Sequence, residues 1–182
     1  MNSLEIILTN NNIKPNNIEL YEQAFVHRSF INENPKFKLG HNERLEFLGD
    51  SVLELIVTDA LYFKYPDHSE GDLTVYRSAL VNTTSIGETA LNLGFNDLLK
   101  LSKGEQKDTG KARTSILADT YEAFLGALYL DLGYDKCVEW VKKTLLINTD
   151  MIVRGGLFKD AKSLVQEKAQ EKLQVTPSYR VV

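Results

Sequence analysis

Acidic side chains recur at helical spacing in two separate parts of this sequence. Glu43, Glu46 and Asp50 follow one another after three and four residues, so a helix would place all three on one face. Asp119 and Glu122 repeat the three-residue spacing in a second segment. Neighbouring carboxylates on a helix repel each other by about 0.2–0.5 kcal/mol per pair, so a compensating positive charge is expected nearby.

A hard divalent cation such as Mg²⁺ would supply that charge, because it prefers oxygen ligands and usually keeps several waters. Solvated helix faces also carry acidic residues at this spacing, and spacing alone favours that simpler interpretation. Apolar neighbours leave little solvated face around Glu46, Asp119 and Glu122, which favours a metal site instead. The pattern leaves both interpretations open. Small residues beside the second pair would let another helix approach closely: Ala118, Ala123, Gly126 and Ala127.

Several other kinds of site are excluded by what the sequence lacks. None of its three histidines follows a glutamate at the Glu-x-x-His spacing of carboxylate-bridged di-iron bundles. Neither a P-loop nucleotide-binding motif nor the Gly-x-Ser-x-Gly motif of esterases is present. The single cysteine, Cys137, excludes an intramolecular disulfide and a cysteine-based zinc site. We interpret the adjacent His27 and Arg28 as a structural pair rather than as ligands.

The segments that must position the carboxylates have the apolar periodicity of helices. His41 or Asn42 is expected to cap the first helix, Thr114 or Ser115 to cap the third, and Gly133 to end the third. No strand pattern interrupts this part of the chain, so an all-α body is predicted. The predicted helices span residues 40–63, 70–93, 114–132 and 134–152, with a polar loop at 102–113.

Length and composition are those of one globular domain of medium size. The chain has 182 residues, of which 43% are hydrophobic and 25% charged, so intrinsic disorder is excluded. Its start lacks the basic region of a signal peptide, and no apolar run approaches the roughly 20 residues of a membrane span. A cytoplasmic setting with no membrane partner is therefore expected. The net charge is −4, yet residues 156–182 hold five basic against three acidic side chains, which predicts a separate basic tail.

Residues 42–51 read NERLEFLGDS, which resembles the signature of the bacterial ribonuclease III family. Further similar segments follow the family's order along the chain: AFVHRS at 24–29, EGDL at 70–73, KGE at 103–105 and ILADTYEA at 116–123. The resemblance implies an all-α, ribonuclease III-type helical endonuclease domain in residues 1–153 and a linker at 154–158. It further implies that residues 159–182 form a truncated α/β double-stranded-RNA-binding domain, namely its first helix and the start of its first strand.

The resemblance also implies roles for individual residues. Glu46, Asp119 and Glu122 match the family's Mg²⁺ ligands, for which Mn²⁺ is a plausible substitute. Asp50 and Glu122 match the catalytic carboxylates. Accessory acidic positions are expected at the edge of the site: Glu43, Glu70 and Glu105.

The activity implied by the resemblance is hydrolysis of double-stranded RNA by a homodimer formed through the nuclease domain. Each active site would cut one strand and leave a 5′-phosphate, a 3′-hydroxyl and a short 3′ overhang, in rRNA precursor maturation and in mRNA and small-RNA processing. The basic loop and the tail supply expected RNA contacts, although solvated side chains remain an alternative for all of them. These residues are Lys103, Lys107, Lys111, Arg113, Gln166 and Gln170.

Two departures from the family pattern affect these expectations. The RNA-binding domain stops at the start of its first strand, so a fragment or a shortened form is expected. Thr114 stands where many relatives have an acidic residue. One alternative is a catalytically silent RNA-binding or ribosome-associated scaffold of the same fold, and another is a compact enzyme that needs no RNA-binding domain. Retention of all four central carboxylates favours the enzyme.

Overall fold

The described part of the chain is built from helices. The computed structural model describes residues 3–155 and 174–175, and within them the isolated parallel bridge between Val26 and Lys100 is the one β contact. The all-α prediction is confirmed for this part, whereas the expected RNA-binding segment 159–182 lies outside it except for Gln174 and Val175. The helices are α1 (Ser3–Asn10), α2 (Ile18–Ala24), α3 (Arg28–Glu33), α4 (Glu43–Lys64), α5 (Glu70–Leu80), α6 (Thr83–Asn92), α7 (Lys111–Leu132), α8 (Tyr134–Thr144) and α9 (Thr149–Gly155).

Helix α7 lies at the centre of the fold. It packs against α2, α4, α6 and α8, and side chains on all of its faces between Ile116 and Leu128 are buried. A helix that buries apolar side chains on nearly all of its faces is stable only inside a core, and in α7 the half-buried Asp119 and Glu122 interrupt that surface. Phe124 from this helix contacts the rings of Phe25, Phe95 and Trp140. This aromatic cluster fixes α7 against its neighbours.

Two glycines set the distance between α4 and α7. A Cβ atom at Gly49 would overlap the backbone carbonyl of Glu122, and one at Gly126 would overlap the carbonyl of Leu45. The two helices can approach this closely because neither position carries a side chain. The close crossing brings the acidic face of α4 against the acidic face of α7.

The predicted helix 70–93 is wrong as a single element, because the chain forms α5 and α6 in this region. Asn82 separates them: its backbone is extended, and its side-chain oxygen accepts the N–H of Ser85 at 2.9 Å as the N-cap of α6. The predicted helix 134–152 is likewise divided into α8, a short 3₁₀ turn at Leu146–Asn148, and α9. Helix α9 extends to Gly155, so it includes the first two residues of the expected linker.

The ends of the two acidic helices differ in part from the prediction. Asn42 precedes α4 as expected, but its side chain forms no cap and instead donates to the carbonyl of Ala24 at 3.1 Å. Helix α7 begins at Lys111 after Gly110, so the predicted caps Thr114 and Ser115 are wrong and the polar loop is shorter than 102–113. Gly133 ends α7 as predicted, with a φ angle of +81° that favours glycine.

Candidate metal centre and active site

Three of the sequence-predicted carboxylates meet where α4 crosses α7. Glu46 from α4 and Asp119 and Glu122 from α7 each offer an oxygen, and these oxygens lie within 4.8 Å of one another. The three side chains are half-buried. Glu46 is one turn before Gly49, and Glu122 is one turn before Gly126, so the glycine crossing places both glutamates at the same level.

The cluster holds its negative charge at an energetic cost. Burial, followed by the charges of Asp50, Asp119 and Glu46, raises the pKa of Glu122 to about 8. Burial, followed by the charges of Asp119 and Glu43, raises the pKa of Glu46 to about 7. Burial also raises the pKa of Asp119, and His27 opposes that rise. Among the described residues, no lysine or arginine forms an ion pair with these three carboxylates.

Asp50 lies beside the three-carboxylate cluster rather than within it. It follows Glu46 by one turn of α4 and is exposed to solvent. Its charge contributes to the raised pKa of both Glu122 and Glu46, so its carboxylate is close to theirs. An exposed carboxylate next to a half-buried group of three is suited to accept a proton from a water at the edge of the site.

The three expected accessory acids lie outside the cluster. Glu43 is near Arg28 at 3.4 Å and near the His41 ring at 3.6 Å, so part of its charge is compensated. Glu70 is an exposed residue at the start of α5 and accepts the hydroxyl of Thr74 at 3.0 Å. Glu105 lies in a 3₁₀ turn at Glu105–Lys107, before α7. None of the three adds a fourth ligand to the cluster among the described residues.

The basic residues of the loop before α7 have two different environments. Lys103, Lys107 and Lys111 are exposed. Arg113 differs, because its guanidinium donates to the side chain of Asn96 at 2.9 Å and to the carbonyl of Glu105 at 2.8 Å. Two of its donor groups thus bind the protein, and the contact of Arg113 with phosphate stays a prediction. The expected RNA contacts Gln166 and Gln170 lie outside the described residues.

Sequence reasoning missed how His27 is placed. The backbone N–H of His27 donates to the carbonyl of Lys100 at 3.1 Å, beside the bridge between Val26 and Lys100. The carbonyl of Val26 also accepts the N–H of Asn42 at 2.9 Å, so the two contacts hold the histidine at the start of α4, close to Glu46 in the fold. Spacing along the chain carries no signal for such a contact, since it depends on three separate segments meeting.

The cluster can serve as a divalent-cation site of a particular chemical kind. Three carboxylates and no histidine or cysteine form an oxygen-only ligand set, which suits hard cations such as Mg²⁺, Ca²⁺ or Mn²⁺. The raised pKa values of Glu46 and Glu122 fit this assignment, because a bound cation would stabilise the charged forms that burial disfavours. The fold and the site together define a helical domain with a carboxylate centre, a class suited to hydrolysis of phosphate esters.

Comparison with known proteins identifies the family. Residues 17–149 match the family described as "Ribonuclease-III-like". The chain is 42% identical over 178 residues to "Ribonuclease 3" of Borreliella burgdorferi, covering 98% of this chain and 72% of that protein. It is 42% identical over 168 residues to "Ribonuclease 3" of Listeria innocua, covering 91% of this chain and 72% of the relative. The chain therefore belongs to the ribonuclease III-like family, and it is an endoribonuclease specific for double-stranded RNA.

Solved structures agree with this assignment. The nuclease domain of ribonuclease III from Campylobacter jejuni, in a structure concerned with a region involved in dimer formation, aligns with a TM-score of 0.68 and 34% identity. That alignment covers 78% of this chain and 97% of the other. Dicer from Pichia stipitis aligns with a TM-score of 0.59 and 28% identity, covering 89% of this chain and 70% of that one. In the described part of this chain, no helix is both long enough and apolar enough to span a membrane.

Proposed function

We propose that this endoribonuclease hydrolyses the phosphodiester bonds of double-stranded RNA with Mg²⁺ held by Glu46, Asp119 and Glu122. One observation carries the proposal: the three half-buried carboxylates place their oxygens within 4.8 Å of one another. Like charges so close together are unfavourable unless a cation is bound between them. Mn²⁺ offers the same preference for oxygen ligands and is expected to substitute.

The chain's own residues divide the chemistry between holding the ion and moving a proton. Bound Mg²⁺ would supply a water of lowered pKa and would offset charge at the phosphate. Glu46, Asp119 and Glu122 hold the ion through their carboxylate oxygens, and α4 and α7 keep them rigid. Asp50 is solvent-exposed beside them and accepts the proton from the attacking water. Attack that expels the 3′ oxygen leaves a 5′-phosphate on one product and a 3′-hydroxyl on the other.

The edge of the site carries groups of the opposite sign, which suit the RNA backbone. The exposed Lys103, Lys107 and Lys111 lie in or next to the loop before α7 and contact phosphates in this proposal. For binding RNA, the sign of the charge near the site matters more than the net charge of −4. A bound divalent cation would reverse the electrostatic potential at the carboxylates. Glu43, Glu70 and Glu105 remain accessory residues at the rim of the site.

A second copy of the chain is the proposed partner, bound through the outward face of α4. Phe47, Leu55 and Tyr62 are spaced at eight and seven residues and share that face. Their exposed fractions are 79%, 57% and 65%, which is unusual for side chains of this type in a monomer. Because Glu46 and Asp50 are next to this face, a dimer formed here would set two active sites beside one cleft. Each site would cut one strand and leave a short 3′ overhang.

The remaining assignments concern the wider role of the chain. We keep residues 1–153 as the nuclease domain, 154–158 as the linker and 159–182 as the start of a double-stranded-RNA-binding domain. Maturation of rRNA precursors and processing of mRNA and small RNA are the proposed tasks, with the cytoplasm as the proposed compartment. The motifs quoted from the sequence support these assignments.

A cleavage assay on a long RNA duplex tests the proposed function. The 182-residue chain is expected to cut the duplex in Mg²⁺, to stop in EDTA, and to leave a DNA duplex of the same sequence intact. Glu122→Gln is expected to lower the rate at least about 100-fold, because one ligand of the charge-stabilising ion is lost. Glu88→Gln, which changes an exposed glutamate on α6, is the matched control and is expected to cleave normally.

Two results of this assay would contradict the proposal. Cleavage that persists in EDTA would mean that no divalent cation is needed. Binding of the duplex without cleavage, even at low salt, would support the silent scaffold in its place.

A further inference from the structure

His27 lies beside the carboxylate cluster without belonging to it. It is the N-cap of α3 and follows Val26, which forms the bridge to Lys100. It offers no ligand atom to the group formed by Glu46, Asp119 and Glu122. Backbone and side-chain contacts hold it there: the carbonyl of Val26 accepts the N–H of Asn42 at 2.9 Å, directly before α4, and Arg28 lies 3.4 Å from Glu43, one turn before Glu46 on α4.

Hydrogen bonds fix which nitrogen of the His27 ring carries the proton. The backbone N–H of Ser29 donates to Nδ1 at 3.3 Å, and an amide N–H can only donate. The Ser29 hydroxyl lies 2.8 Å from the same Nδ1, and its oxygen accepts the backbone N–H of Ser102 at 3.1 Å. Because Nδ1 acts as an acceptor, the neutral imidazole carries its proton on Nε2.

The Nε2–H group of His27 is an unpaired donor that solvent can reach. No hydrogen bond engages Nε2 among the described residues, where Nδ1 forms the ring's contacts. Nε2 of His27 is not a buried atom. Among the described residues, the buried side-chain polar atoms that lack a partner belong to His41, Arg113 and Trp140. The side chain is half-buried, so Nε2 is its exposed end. A rigid ring therefore offers one free donor at the start of α4, about one turn before Glu46.

We propose that His27 contacts the substrate, with Nε2–H donating a hydrogen bond to a non-bridging phosphate oxygen of RNA at the start of α4, beside the carboxylate cluster. The inference rests on the proposed function, because it requires a phosphate to lie at the carboxylate cluster. An imidazole N–H suits this position, since it can donate a hydrogen bond to a phosphate oxygen. The contacts with Ser29 fix the ring before substrate arrives, so little rotamer entropy is lost on binding.

Two substitutions at position 27 separate the donor from the cap. In His27→Asn the side-chain oxygen can still accept the N–H of Ser29, since asparagine is a good N-cap, but nothing replaces Nε2. In His27→Gln the longer side chain places an amide N–H near the former Nε2. We expect His27→Asn to lower kcat/KM by about 10- to 100-fold, the range for a hydrogen bond to a charged group. His27→Gln is expected to recover part of this loss.

Three further measurements distinguish a substrate contact from a structural role. The thermal midpoint of His27→Asn and its affinity for Mg²⁺, measured by calorimetry, are expected to equal those of the unsubstituted chain. Its affinity for an RNA duplex, measured in Ca²⁺, is expected to fall. His68→Asn is the matched control, because His68 contacts Tyr76 at the far end of α4 and should leave cleavage and RNA affinity unchanged.

Particular outcomes would overturn this inference. Normal kcat/KM and duplex affinity in His27→Asn would show that Nε2 contacts no phosphate. Loss of Mg²⁺ affinity in that variant would mean that His27 acts on the carboxylates instead of on RNA. If the unsubstituted chain binds the duplex but does not cleave it, the proposed function fails separately, and duplex affinity alone decides the role of His27.

Discussion

The three clustered carboxylates make the stability of the metal-free chain depend on pH. Glu122 has a pKa of about 8 in the folded chain against an ordinary value of 4.5. Between these values the folded state binds more protons than the unfolded state, so the free energy of unfolding falls as pH rises. The same sign applies to Glu46, whose pKa is about 7. Urea denaturation in EDTA is expected to show lower stability at about pH 8.5 than at about pH 5.5, with Mg²⁺ removing most of the difference.

Glu122→Gln tests this pH dependence at the carboxyl group whose pKa is raised to about 8. The amide cannot ionise, so the metal-free variant is expected to be about 1–3 kcal/mol more stable than the unsubstituted chain at about pH 8.5, after allowance for solvent screening. The expected gain vanishes at about pH 5, where the carboxyl is protonated in the folded state. An equal or lower stability at high pH would show that the cluster carries no such cost. A variant that loses activity and gains metal-free stability would mark Glu122 as a functional residue.

At the scale of elements, the crossing of α4 and α7 determines whether the carboxylates can meet. Gly126→Ala adds a Cβ atom that would overlap the carbonyl of Leu45, so the helices must separate. We expect a loss of about 3 kcal/mol in the free energy of unfolding, together with weaker Mg²⁺ binding, because the oxygens of Glu46 and Glu122 move apart.

A matched alanine substitution controls for the loss of glycine flexibility. A Cβ atom at Gly71, in the first turn of α5, would meet only the Ser69 hydroxyl, at 3.7 Å. Gly71→Ala is therefore expected to be neutral or slightly stabilising, with unchanged Mg²⁺ affinity. Unchanged stability and Mg²⁺ affinity in Gly126→Ala, measured by urea denaturation and calorimetry, would mean that the crossing tolerates a wider spacing.

The same elements show what sequence periodicity can and cannot predict. It located α4 and α7 to within a turn, because long apolar stripes with acidic positions between them leave few alternatives. It merged α5 with α6, since the apolar period continues across Asn82. The break there depends on one side-chain oxygen that accepts the N–H of Ser85, which a count of apolar positions does not detect.

Prediction of the site from sequence was limited by contacts between distant segments. The acidic spacing and the small residues around Gly126 indicated that two acidic helix faces could meet, and the family resemblance indicated their role. His27 and Arg113 were different, because their surroundings come from the tertiary structure. Arg113 donates to Asn96 and to the carbonyl of Glu105, contacts that the sequence does not indicate, and its contact with phosphate stays a prediction.

At the scale of the whole molecule, an acidic chain must bind a polyanion. The net charge of −4 opposes association with RNA at long range, so binding has to come from local groups. The exposed lysines near the start of α7 and a cation at the cluster are the groups proposed for this role. A dimer would place two sets of these lysines and two cation sites on one surface. A single RNA duplex could then contact both sites at once, which raises affinity without any new kind of contact.

Dimer formation through α4 is tested by placing a charge on its outward face. Leu55 is 57% exposed on that face and is two turns from Glu46, so Leu55→Glu leaves the carboxylate cluster intact. In a dimer packed on this face the new carboxylates would be buried opposite one another, and we expect the variant to sediment as a monomer. Ile147→Glu is the control, because Ile147 is 72% exposed but lies outside α4, so this substitution should leave the dimer unchanged.

Sedimentation velocity at several protein concentrations measures the oligomeric state. The assignment would be contradicted if the unsubstituted chain were a monomer, or if Leu55→Glu still formed the dimer. If the monomer binds Mg²⁺ normally but cuts a duplex more slowly, the second copy contributes to holding RNA rather than to the chemistry of each site.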